Sequence, residues 1–270
     1  MKTKTTHKAA TVFKLLLVGL ATTAVRIVGQ LMIPAGEQAV LGPSVFAQNG
    51  AMPLAFTIYG LLAYTLIAAL FLLLRDRLGG RKLLQGLRYA LACCAVWVVY
   101  LWEPLPHVAP LDRLTYPLAD CAALLVMGLL LGALLGCSSA PPPPRVQIPW
   151  KAVLCVTLCF VAGRLLQYLA FDSYSLFVEE PLWTLLWCAL TGMVTALALA
   201  WCARFLPAGG RVRHALLLGG LLFGLDLALF NGFMPLVFAA DLPDLLLRTA
   251  VDLLAVTAGC LAFPPAQEPA

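Results

Sequence analysis

MPLAFTIYGLLAYTLIAALFLLL, residues 52–74, decides the fold. The stretch carries no charge. As a helix rising about 1.5 Å per residue, it spans the roughly 30 Å hydrocarbon core of a bilayer. Seven comparable runs lie around it, at 11–34, 83–102, 116–137, 150–171, 182–205, 212–235 and 242–263. Lipid satisfies no backbone polar group, and no barrel-like alternation is present, so each run reads as a helix. The expected fold is an all-α integral membrane protein of about eight transmembrane helices.

Composition agrees. The chain is 62% hydrophobic and 11% charged, with a mean hydropathy of +0.92. A soluble domain carries about 25% charged residues and could not hide so much apolar surface. The net charge of +5 comes from short clusters between apolar runs, so it points to topology and not to nucleic acid. The nine cysteines form no CxxC pair and no Cys/His cluster with zinc spacing, so no metal or other cofactor is expected. A signal peptide is the rival for the first run, but the run continues past Arg26 to spanning length.

Charge segregation predicts orientation. Lys2, Lys4, Lys8 and Lys14, then Arg75, Arg77, Arg81 and Lys82, then Arg145 and Lys151, then Arg204, Arg211 and Arg213 all fall on one side of an eight-span chain. Glu37, Glu103, Asp112, Asp172, Glu179, Glu180, Asp241 and Asp244 fall on the other, with Arg113 as the one loop cation there. The positive-inside bias therefore predicts a multi-pass protein of the cell (inner or plasma) membrane with both termini cytoplasmic. The outer segment 36–50 reads as an ordered loop, with a short interfacial helix or re-entrant piece as the alternative.

Pro141 to Pro144 form a stiff spacer in the middle of the chain. The expected domains are a first four-helix repeat at 1–138, a proline-rich linker at 139–149 and a second repeat at 150–270. The halves share landmarks in the same order: Gly79-Gly80-Arg81 with Gly209-Gly210-Arg211, Arg26 and Gln30 with Arg164 and Gln167, Asp120 with Asp252. Four helices per unit is an even number, so the two units run parallel. Gly128, Gly132 and Gly136, and likewise Gly220 and Gly224, have the spacing that lets helix backbones approach closely.

The chemistry rests on the few polar residues inside the spans. Each ionisable group there costs about 2.5–3.5 kcal/mol on insertion scales, which points to pairing or function. Arg26, Gln30, Arg164, Gln167 and Asp226 are the candidate substrate-binding residues. Asp120, Arg248 and Asp252 are the candidate intramembrane ion-pair members. A structural reading pairs Arg248 with Asp252 one turn away, Arg26 with Asp120, and Arg164 with Asp226 or Asp252. A functional reading makes Arg26 and Arg164 two walls of a cavity for a small anionic or amphipathic ligand, because guanidinium groups suit carboxylates and phosphates.

Catalysis has little support. His7, His107 and His214 lie beside no nucleophile, and no catalytic residue is assigned. Glu103 with Asp120 is the one conceivable acid/base pair. The expected function is a transporter or permease component for a small solute or lipid-related molecule, with its polar site in the outer half of the bundle. The alternative is a non-catalytic scaffold or accessory subunit that binds partner membrane proteins. The bilayer itself is the one certain partner.

Overall fold

The computed structural model describes residues 2–33, 36, 38–138 and 147–264, with side chains from residue 8 onward. The proline run 141–144, Arg145 and Glu37 lie outside the described residues. Among the described residues all regular secondary structure is helical, apart from one isolated bridge between Pro43 and Phe238.

Five long helices and one short one build the first half and open the second. They are α1 (Lys2–Met32), the four-residue α2 (Val45–Gln48), α3 (Met52–Leu74), α4 (Lys82–Leu101), α5 (Asp112–Leu135) and α6 (Trp150–Ala170). Then come α7 (Pro181–Ala203), α8 (Arg211–Ala215), a π-helical stretch (Leu216–Phe223), α9 (Gly224–Asn231), α10 (Met234–Val237) and α11 (Leu242–Cys260). Seven helical stretches are long and apolar enough to cross a membrane, with α8 to α10 acting as one of them. The chain is thus a multi-pass membrane protein. The eighth run forms α11, which has 19 residues but holds Asp244, Arg248 and Asp252. Those charges separate it from the other seven. Its Leu246 and Leu254 point outward, while Arg248 and Asp252 are buried.

Packing follows a regular pattern. In the first half α1 lies against α3 and α5, and α4 lies against α5. In the second half α6 lies against α7 and α11, and the stretch from α8 to α9 lies against α11. α4 also packs on α7 across the halves. Gly128 and Gly132 of α5 meet Gly86 of α4 so closely that a methyl group on any of the three would strike the other backbone.

In the seventh long helix the packing glycines differ from the expected pair. Gly219 lies against Thr257 and Gly224 against Leu253, while Gly220 faces open space. The π turn is the cause. Its hydrogen bonds run from residue i to i+5, and the Gly224 N–H donates to the Gly219 carbonyl. Residues five apart therefore share a face where an α-helix would align residues four apart.

Basic residues sit where helix carbonyls end. Lys14 donates to the Leu134 carbonyl at 3.0 Å, at the C-terminus of α5, where the helix dipole favours a cation. At the other end of the bundle the segment 38–50 crosses to the second half. Ser44 caps α2 by accepting from the Ala47 N–H and donates its own hydroxyl to the Leu236 carbonyl. The Ala239 N–H donates to the Gly42 carbonyl. The segment is thus a short helix tied down at its start, and it fastens the first half to α10.

A cavity bordered by paired arginines

Each half of the bundle contains a buried arginine paired with an aspartate on another of its own helices. Arg26 of α1 pairs through Nε with Asp120 of α5. Its Nη1 donates to Gln30, one turn along, at 2.8 Å. Arg164 of α6 pairs through Nη2 with Asp252 of α11 at 2.6 Å. Gln167 donates to the other oxygen of Asp252 at 2.8 Å, and the Tyr100 hydroxyl donates to the same carboxylate. Both pairs therefore lie within a half and do not join the two.

Glu103 makes the junction. It follows α4 directly and accepts from Arg164 Nη1 at 2.6 Å and from Arg248. Arg248 thus reaches Glu103, and Asp244 at 4.0 Å, instead of Asp252. The i,i+4 spacing brings Arg248 and Asp252 to the same face, but Asp252 is already held by Arg164. Glu103 was hard to see in the sequence. Its partners lie 61 and 145 residues away, and it falls just past a hydrophobic run.

Asp226 has different company. Both of its oxygens accept from the Trp97 indole N–H, at 3.1 and 3.0 Å. Among the described residues it has no ion-pair partner. It is buried all the same.

A cavity of about 620 Å³ lies between the halves, toward the loop-bearing face. Arg26 and Gln30 line it, as do Glu103, Asp120 and Arg248. Arg164, Gln167 and Asp226 do not; each touches a lining residue from behind, Arg164 the Glu103 carboxylate and the Tyr100 ring, Gln167 the Arg248 carbonyl and Asp226 the Trp97 indole. The walls are mainly apolar and aromatic, with Phe233 at the centre in contact with the rings of Phe56, Tyr59, Tyr64 and Trp97.

α1 and α3 cross beside the cavity. They touch closely at Gly19 and at Gly60, where Thr65 and Thr23 leave no room for a side chain. Ile27 and Leu31 on α1 and Met52 and Thr57 on α3 line the cavity. Their neighbours Val28, Met32, Leu54 and Ile58 are exposed apolar residues on the outside of the same two helices.

The arginines differ in surroundings. The Arg164 guanidinium sits over the rings of Trp187, Phe160 and Tyr100, at 4.8, 5.4 and 5.7 Å. Arg26 has one ring, Phe56, at 5.9 Å. Arg164 is therefore sealed, whereas Arg26 borders open volume.

A smaller cavity of about 390 Å³ lies among the loops, lined by Asp172, Tyr174, Asp241 and Asp244. Arg248, Leu245 and Met234 border both cavities. His107 borders the larger one, with Nδ1 3.1 Å from the Tyr174 hydroxyl. Burial lowers the His107 pKa, and the Arg248 charge acts in the same direction against Glu103. In comparison with known proteins, no family model, curated protein or solved structure matches the chain.

Proposed function

We propose that this chain is a transporter or permease component for a small amphipathic solute, with the cavity beside Arg26 as its binding site. The observation that carries this reading is the cavity itself: about 620 Å³, largely apolar, with two arginine–carboxylate pairs and Asp112 in its lining. Ligand sites have that size and that mixture of walls.

Four further elements complete the reading. α11 is the eighth span, its charges turned inward and its leucines outward. Both termini are cytoplasmic and the membrane is the cell's inner or plasma membrane. The chain is two parallel four-helix repeats, which is supported by the matching helix neighbours in the two halves and by the pairs Arg26–Asp120 and Arg164–Asp252. The repeats have diverged in role. The second-half arginine is locked among rings as a structural post, and the first-half arginine faces the solute. Duplicated transporters place their site at such a repeat interface.

Alternating access tests the proposal without knowledge of the solute. Gln30→Cys places a thiol on the cavity wall. In sealed vesicles a membrane-impermeant thiol reagent should modify it from either side, in turn, as the protein cycles. Modification from neither side, or from one side only, contradicts transport. The second reading, a scaffold for partner membrane proteins, is favoured by one observation: Arg26, Arg164 and Arg248 are all on carboxylates already. One-sided or absent labelling would select it.

A further inference from the structure

Two arginines and three carboxylates line the cavity: Arg26 and Arg248 against Glu103, Asp112 and Asp120. Arg26 is on Asp120 and Arg248 is on Glu103. That leaves Asp112 as the surplus charge. It is buried, accepts from the Gly36 N–H at 2.7 Å and has no ion-pair partner among the described residues. His107, the one histidine of the lining, is pushed toward its neutral form by burial. Behind the wall Arg164 and Asp252 cancel, and Asp226 adds a second carboxylate without a cation.

The rings extend the same bias. Trp97 lines the cavity and gives its N–H to both oxygens of Asp226. Donation to a carboxylate enriches the indole ring in electron density. Its face, with those of Tyr64, Phe230 and Phe233 around it, attracts positive charge. An anion finds the reverse. Each lining guanidinium already holds a carboxylate, so an anionic head would have to displace one and leave it buried and bare. The ends of α1 and α3 that line the cavity carry exposed apolar residues on their outer sides, which suits a route from the apolar surroundings.

We infer that the cavity selects lipophilic organic cations, which enter between the outer ends of α1 and α3 and are held by aromatic faces and by the uncompensated carboxylates Asp112 and Asp226. The inference rests on the reading of the cavity as a ligand site.

Tetraphenylphosphonium and tetraphenylborate are the probes, since they share a shape and differ in the sign of charge. Each is titrated into purified full-length protein in phosphatidylcholine nanodiscs, with empty nanodiscs subtracted. Saturable phosphonium binding at least about tenfold tighter than that of the borate is expected, a difference of about one aromatic cage's contribution. Asp112→Asn keeps an oxygen for the Gly36 N–H, and Asp226→Asn keeps one for Trp97. Each should weaken the phosphonium about fivefold while leaving the borate unchanged or tighter. Borate binding equal to or tighter than phosphonium binding overturns the inference. So does unchanged phosphonium affinity in both variants when they melt like the parent protein. Cation-selective binding together with one-sided labelling of Gln30→Cys would keep the ligand class and remove transport. Two-sided labelling without selectivity for the cation would remove the ligand class alone.

Discussion

Arg164 reaches Asp252 and Glu103 with different nitrogens and is almost wholly buried, at 2% exposure. Removing such a charge leaves its partners bare in a low-dielectric interior. Arg164→Gln should therefore destabilise the protein by about 3–5 kcal/mol, read as a loss of melting temperature in detergent. Arg164→Lys should recover little, because an ammonium is a single point and cannot bridge two carboxylates. His107 makes a prediction in pH. Its folded pKa is lowered, so the unfolded chain binds the proton more readily. Stability should be flat above the unfolded value of about 6.5 and fall as pH drops through it, down to the folded value. His107→Phe should flatten that part of the profile, and an unchanged slope would place the titration elsewhere. The sequence made the arginines and aspartates legible because charges are costly in lipid. It could not rank them. The rings that seal Arg164 come from three helices, α4, α6 and α7, and no pattern along the chain brings them to one point.

Among the elements, the π stretch is the one whose geometry changes what the sequence implies. Every long apolar run in the sequence became a helix, because a bilayer leaves the backbone no other choice. The register within a run is less constrained. Gly220 and Gly224 have the α-helical spacing for a packing face, and the π turn hands that face to Gly219 and Gly224 instead. A pair of substitutions distinguishes the two. Gly219→Ala meets the Thr257 backbone and should cost about 1–3 kcal/mol, as overpacking does. Gly220→Ala meets nothing within 4 Å and should be neutral or stabilise by about 0.5–1 kcal/mol, through a better helix propensity. Thermal unfolding of both variants checks this, and the reverse order would restore the regular α-helical register. The junction at Glu103 was illegible for a related reason: it depends on where α4 ends relative to α6 and α11, which is a matter of packing.

Seen whole, the molecule is a helical membrane bundle whose two halves repeat a neighbour pattern and an ion pair but not a cavity. The proposed duplication rests on repeated letters at similar distances in the sequence. The asymmetry was not visible there, since it arises from which half's rings fill the space beside the arginine. The proposed parallel arrangement of the halves requires an even number of spans, and so it stands or falls with α11. An epitope placed ahead of Lys8 and another placed after Phe263 locate the two ends of the described bundle. In right-side-out vesicles an antibody added from outside should reach neither until the membrane is permeabilised, then both. An epitope after Phe263 that is accessible in intact vesicles, with the one ahead of Lys8 protected, would make seven spans of the chain and contradict the two-repeat account.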